Sequence, residues 1–454
     1  MKHKFLLAFV ILLTAVFTNP DQLLAQQGRV ITLKEAIDLS IKNSKQLKGS
    51  KARIEEATAS MREALERKLP EIKASGSYLR LNNPNINVQS KSTNSSGGSG
   101  TLGTPQESAG KPSSAIYGML NASLPIYSGL RIRYGIESSK YLEEAAKLDA
   151  DNDREAVVLN TINAFDNLYK SRAAVELVNE SLQGARQRVK DFSNLEKNGI
   201  LPRNDLLKAQ LQQSNTELSL LDAENNWRLA NINMNLMLGL PDTTVLTVNE
   251  TDLQLSDVQL KPVEEYVQLS TQNRKDIAAL ALRKKAANTG VKAAKGGSFP
   301  SVAVTGGYVA ADIPNVFTVT NAVNVGVGVQ YSLSSLWKNS QVEQAKAREK
   351  QVEASEEILN DNVRLEVNQA YQNYLSSRKK IEVYQTAIAQ AEENFKIVRN
   401  KFQNQLATTT DLLDADVAQL QARLNAAFAK ADASVAYNKL LQTAGLLLNK
   451  TETK

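Results

Sequence analysis

The chain has 454 residues, with 54 Lys and Arg against 48 Asp and Glu, no Cys and one His, His3. Removal of an amino-terminal leader would take the single His with it. That excludes the usual zinc sites, thiol catalysis, c-type haem, a structural disulfide, a lipid anchor on Cys and any His general base, so no cofactor and no metal is expected.

The first residues read as a targeting signal. Lys2, His3 and Lys4 form a basic start, and Phe5 to Phe17 is an apolar run broken only by Thr14. A polar stretch then ends in Leu23-Leu24-Ala25, which places cleavage after Ala25. The apolar run is too short to span a bilayer as a helix, and no later stretch reaches about 18 apolar residues. Mild positive charge spread along the whole chain is no nucleic-acid footprint, so no nucleic-acid partner is expected.

Next in chain order comes a helix, Leu33 to Lys68, rich in Ala, Glu, Lys and Leu and stopped by Pro70. Period-2 alternation follows at Ile72, Ala74, Gly76 and Tyr78. Residues 89–114 are too polar and Gly-rich to pack, and they read as a loop. Ile116, Gly118, Leu120, Ala122, Leu124 and Ile126 alternate again, and helix runs from about Leu130 to Lys197 without Pro. Such a helix is roughly 100 Å long at 1.5 Å per residue. Leu168, Ser171, Val175, Val178, Leu182, Ala185, Val189 and Phe192 step by three and four along it, as a heptad seam does.

The whole order then repeats. Residues 33–78 align on 263–308 without gaps, with 11 identical pairs among 46. Residues 164–207 align on 370–413 with 12 identical pairs among 44, and Gly239 meets Gly445. Chance gives about three in either block. The second copy has helix over 263–298, a stop at Pro300, and alternation at Val302, Val304, Gly306 and Tyr308 and again from Val323 to Leu333. Residues 329–444 contain neither Gly nor Pro and read as helix with one turn. Each copy is too long for a solenoid repeat, so this is a duplicated domain.

Each copy therefore holds two runs of about ten alternating residues, the length of a membrane β-strand. One face is Val, Leu and Ile. The other is polar: Asn324, Gly326, Gly328, Gln330 and Ser332. A soluble four-stranded sheet packed on helices is the alternative. Four strands cannot close a membrane barrel, so copies of the subunit would share one. A dimer gives eight strands with a filled interior, and a trimer gives twelve with a lumen.

From Thr32 to about Leu448 the chain resembles the TolC-type outer-membrane efflux proteins. The most specific segments are the two helix-to-helix turns, Asn198 to Ala209 and Asn404 to Ala415, which look like that family's periplasmic tips. Leu238 to Pro241 resembles its equatorial segment. The turns make physical sense. Gly199 suits a left-handed turn, Pro202 cannot continue a helix, and Asn204 or Asp205 can cap the next one. In the second turn Asn404 is the best left-handed residue, and Thr408 to Thr410 offer caps.

The resemblance implies a mainly helical fold with membrane β-structure. Long antiparallel hairpins form an α-barrel, and four strands per subunit enter a shared 12-stranded β-barrel of a homotrimer. It implies an outer-membrane exit duct of a tripartite efflux or type I secretion system in a Gram-negative envelope, with the helical part in the periplasm. The partners would be a periplasmic adaptor (membrane fusion) protein, an inner-membrane RND or ABC-type transporter, and outer-membrane lipid. The expected organisation is a signal peptide at 1–25, a first repeat at 26–240 with its tip near 198–205, an equatorial linker at 241–262, a second repeat at 263–448 with its tip near 403–411, and a tail at 449–454.

By the same resemblance Asp411 and Asp414, with Asp205, form the pore gate and set selectivity. They would concentrate negative charge at a narrow mouth, where crowding raises some of their pKa values. Gly199, Ile200, Leu201, Leu206 and Leu207 on the first tip, with Leu406, Leu412 and Leu413 on the second, form the adaptor contact. Where other members tether the gate with an Arg just before the Asp pair, this chain has Ala407, and Arg399 and Lys401 lie farther back.

Three rival readings differ in class. An enzyme would need carboxylates, Lys, Ser or Tyr in a constellation, and none stands out; Gly103 to Pro112 lacks the spacing of a phosphate-binding loop. A coiled-coil adaptor or another structural protein of the envelope would show one hairpin, not two, each preceded by a strand pair. A fibrous adhesin would lack the alternating strands.

Overall fold

Length without proline dominates the architecture. The computed structural model describes residues 28–82, 112–249, 259–314, 317–333, 337 and 340–448. The expected leader at 1–25, the insert up to residue 111 and the tail at 449–454 lie outside these residues.

Among the described residues, β1 (Arg29–Ile31) leads into α1 (Leu33–Asn43) and α2 (Lys45–Glu66). Strands β2 (Glu71–Arg80) and β3 (Ser114–Ser128) precede α3 (Arg131–Lys197), which is 67 residues long, and α4 (Arg203–Leu238). After β4 (Leu246–Val248) the order returns as α5 (Val263–Asn273), α6 (Lys275–Lys295), β5 (Ser301–Ile313), β6 (Phe317–Gln330), α7 (Ser340–Gln403) and α8 (Thr409–Thr443).

Two details differ from the sequence reading. The helices expected as single runs at 33–68 and 263–298 are each broken once. The breaks fall at Ser44 (ψ 120°) and Arg274 (ψ 128°), which occupy the same place in the two aligned copies. Ser44 Oγ accepts from the Leu47 N–H and so caps α2. The Arg274 guanidinium is clamped by Asp276 and Glu366, at 2.6 and 2.9 Å. Secondly, β1 and β4 pair in parallel as a two-stranded sheet. Three-residue strands carry too little alternation to be seen in a sequence.

Packing divides the chain into two units. One holds residues up to 52, 148–278 and 357 onward; the other holds 53–147 and 279–356. The first unit has two main apolar cores. One joins Val158, Ile162, Val363, Val367, Tyr374 and Leu440. The other joins Ile31, Phe165, Leu168, Met234 and Leu238. The heptad seam of α3 is buried at Leu168, Val178, Leu182, Ala185 and Phe192, as its spacing requires.

The two copies end alike. Gly239 (φ 72°) and Gly445 (φ 68°) terminate α4 and the segment after α8 in the left-handed region. In each case the next N–H reaches back to the carbonyl five residues earlier, Leu240 to Asn235 and Leu446 to Leu441. A Cβ on Gly239 would come within 2.9 Å of the Asn43 side chain, and one on Gly445 within 2.9 Å of Asn273. Asn43 and Asn273 are themselves an aligned pair.

The second unit contains the four-stranded sheet, in the order β2-β3-β5-β6, with every neighbour antiparallel. Its register answers the alternation. Tyr78 pairs with Ile116, Ala74 with Leu120, Leu120 with Tyr308, and Tyr308 with Val323. Directly paired residues share a face, so the apolar sets of all four strands lie on one side. The other side carries Ser75, Asn121, Thr305, Asn324 and Gln330.

Candidate functional site

Each hairpin end is closed by the same hydrogen-bond pattern. Gly199 (φ 74°) ends α3, with Gly199 N–H bonded to the Glu196 carbonyl and Ile200 N–H to that of Leu195. At the second tip Gln405 (φ 59°) takes that role, with bonds to Phe402 and, from Leu406, to Lys401. Asn404, the residue expected there, stays in the last helical turn and bonds to Asn400. The cap expected at Asn204 or Asp205 is absent: α4 begins after Pro202 without a side-chain cap. Thr408 caps α8 as expected, and Asp411 completes a capping box.

The apolar tip residues divide into two sets. Ile200, Leu207 and Leu406 are exposed, Leu406 to 76%. Leu206 and Leu412 are buried in a core with Phe192 and Ala209, against which Leu201 and Phe402 pack. Leu413 is also buried. Leu206, Leu412 and Leu413 are therefore unavailable to a partner in this arrangement, and Leu206 and Leu412 help hold the hairpins together. Phe192 and Phe402 stack with centroids 5.3 Å apart, which joins α3 to α7 at the same level.

Asp411 and Asp414 line one cleft of about 470 Å³ with Lys401, Leu406 and Ala407. Lys401 thus lines the same cleft as the acidic pair, although it looked remote in the sequence. Asp411 accepts from the Thr408 hydroxyl at 2.7 Å and its N–H at 2.9 Å. Those two bonds hold its carboxyl below its ordinary value. Within one copy, then, hydrogen bonding acts on Asp411 in the direction opposite to the expected crowding. Asp205 lies outside this cleft, beside Lys208 at 3.4 Å. Lys208 also donates to Thr410 of the second tip at 3.3 Å.

The strongest polar links between the hairpins involve residues the sequence did not single out. Arg188 of α3 grips Asp416 of α8 through two bonds of 2.9 and 3.0 Å. Arg423 of α8 reaches Glu180 of α3 and Glu392 of α7 at 3.0 and 3.1 Å. These pairs border a groove of about 710 Å³ that also includes Arg399, Phe395 and Leu195. Partners 228 residues apart leave no local signal in the sequence.

The apolar face of the sheet is the second candidate surface. Val323, Val325, Val327 and Val329 are exposed, Val325 to 81%, as are Ile72, Tyr78, Ile116 and Leu120. A face of this kind is far outside what a water-exposed surface tolerates. No described helix is long and apolar enough to cross a membrane. Among the described residues no cluster of acidic groups is suited to a metal.

The sequence profile of the outer membrane efflux protein family matches residues 36–240 and 266–446. The chain belongs to the outer membrane efflux protein family. Solved structures agree on the fold. The CusC channel protein superposes with a TM-score of 0.74 at 20% identity, over 91% of this chain and 92% of that one. VceC of Vibrio cholerae gives 0.70 at 19%, over 91% and 96%. The CmeC channel of Campylobacter jejuni gives 0.73 at 16%, over 91% and 86%. Curated proteins gave no match. The family is one of channels, and this efflux protein is an outer-membrane exit duct with the long helices and small sheet of that fold.

Proposed function

We propose that three copies assemble into one duct, with a 12-stranded β-barrel in the outer membrane and the helical hairpins extending into the periplasm. The observation that carries this reading is the sheet. Its outer strands β2 and β6 each have one unpaired edge, and its apolar face is continuous. Unpaired edges in a bilayer cost several kcal/mol per group, so each β2 would pair with a neighbouring copy's β6. Repeats at 26–240 and 263–448, with a linker at 241–262, would then alternate around the axis.

The helices support the same assembly. On α4, Leu207, Leu211, Leu218, Leu229, Ile232 and Leu236 form an exposed stripe at heptad-like spacing. On α7, Ile358, Leu365, Val383 and Ile397 do the same. The α4 stripe of one copy would pack on the α7 stripe of the next. Such a heterologous contact would close into a ring if its rotation is that of a three-fold repeat.

In this duct Asp411 and Asp414 would ring the periplasmic mouth. Ile200, Leu207 and Leu406 would meet an adaptor that couples the duct to an RND or ABC-type pump in the inner membrane. The test uses the absence of Cys. Single Cys residues at Leu218 and Leu365 would be the only thiols in the mature chain. A crosslinker should join them between copies into a covalent trimer. Crosslinks confined within one copy, or none, would reject this interface.

A further inference from the structure

The junction between sheet and helices holds a cationic cleft that the channel role does not use. Lys292 and Lys295 lie one turn apart at the end of α6. Lys346 and Lys350 lie one turn apart near the start of α7. All four line one cleft of about 280 Å³. Its acidic residues are Glu349 and Glu353, so the cleft carries four positive and two negative charges, net +2. Glu349 is already engaged, accepting from the Asn288 amide at 2.7 Å. None of the four lysines forms an ion pair or hydrogen bond with a described residue. Two turns away, Lys284 does pair with Glu356, at 2.7 Å.

Backbone contacts fix the place of this cleft. Gly129 (φ 62°), between β3 and α3, abuts Gly296 so closely that a Cβ there would stand 2.1 Å from the Gly296 carbonyl oxygen. A Cβ on Gly297 would meet Gln341, in the first turn of α7. The β3–α3, α6–β5 and α7 junctions therefore meet at one level, directly below the first residues of β5. Phe299, Tyr331 and Trp337 are exposed in these same connections. Exposed aromatics at a strand end mark the boundary between hydrocarbon and headgroups.

We propose that this cleft seats the phosphate of an anionic phospholipid headgroup from the inner leaflet of the outer membrane. The inference rests on the sheet lying in that membrane. The charge is complementary, because lysine ammonium groups take a phosphate as point charges. The cleft lies on the helix ends that lead into and out of the sheet, so the acyl chains of the same lipid would lie toward its apolar face. Basic pockets between helices at a membrane surface recognise anionic headgroups on the same principle.

Lipid-depleted trimer in detergent would be titrated with phosphatidylglycerol or phosphatidylethanolamine, and bound lipid counted by native mass spectrometry. The expected result is a phosphatidylglycerol preference that K292Q/K295Q/K346Q/K350Q lowers about tenfold and K396Q leaves unchanged. Equal binding of both lipids by the wild-type chain would overturn the proposal. So would displacement of phosphatidylglycerol by inorganic phosphate at equal concentration, which would mean a free-anion site. If the quadruple variant fails to assemble, K346Q/K350Q decides, and an unchanged preference there overturns it. Both variants should fractionate with the outer membrane. A wild-type chain found outside that membrane would defeat the channel reading, whereas an embedded trimer without the preference would defeat this site alone.

Discussion

Arg188 and Asp416 form a two-pronged ion pair that ties the first hairpin to the second, and both side chains are largely shielded from water. Removing one partner strands the other charge in a low-dielectric groove, at a cost of about 2–4 kcal/mol. Asp416→Asn and Arg188→Gln should each loosen the hairpin ends. The expected readout is more frequent spontaneous opening of the duct in planar bilayers. The double exchange R188D/D416R should restore the wild-type record. An unchanged record in the single variants would mean that this pair does not restrain the tips.

In the proposed duct Asp411 would have two roles that can be separated. Asp411 carries charge and also completes the cap of α8. Thr408→Ala should weaken the cap by about 1 kcal/mol and keep the charge. D411A/D414A should remove the charge, abolishing cation preference and block by trivalent ions. If T408A loses the preference as fully as the double variant does, helix order rather than carboxylate charge accounts for selectivity. The capping bonds lower the Asp411 pKa, so their stabilisation is complete above the ordinary carboxylate range. It is lost as pH falls through the lowered folded-state value.

Asp166 predicts an opposite pH response. Its side chain is 1% exposed and neither carboxylate oxygen has a partner. Burial raises its pKa from 3.8 to about 8, against the nearby Lys170, which lowers it; Asp432 adds a smaller raising effect. Between about pH 4 and 8 the folded state keeps a proton that the unfolded chain has released. Stability therefore falls as pH rises through that window, by up to about 1.4 kcal/mol per pH unit. Asp166→Asn should flatten the dependence and raise the melting temperature at pH 8. A variant that melts below wild type at pH 8 would show that the carboxylate is ionised and stabilising.

At the tips, burial separates the proposed adaptor contact from the residues that hold the fold. Ile200→Asp with Leu406→Asp should stop export while trimer yield stays normal, because both side chains are exposed. Leu206→Asp or Leu412→Asp places a charge in the core with Phe192 and should cost the protomer its tip. Normal export by the Ile200/Leu406 variant would move the adaptor contact elsewhere.

Most of the fold was legible because period and punctuation are local properties. The absence of proline announced α3 and the α7–α8 stretch, and alternation at Val323–Val329 announced β6. The left-handed residue of the second tip was misplaced because Asn404 has the better intrinsic propensity. The alignment that pairs Asn198 with Asn404 also puts Gln405 under Gly199, so tertiary equivalence outweighed propensity there. The Ser44 and Arg274 breaks were hidden, since neither residue is a helix breaker by itself. Pairs such as Arg188–Asp416 depend on how two hairpins pack, and no local pattern encodes that. The tip leucines looked alike in sequence, and only packing divided Leu206 and Leu412 from Ile200 and Leu406.

The mass of the detergent-extracted outer-membrane complex tests the central claim most directly. In the proposed assembly the open edges of β2 and β6 and the exposed stripes on α4 and α7 would be covered by neighbouring copies. Native mass spectrometry should find three copies of the chain and no smaller stable species. A stable monomer or dimer in the membrane extract would contradict a shared 12-stranded barrel.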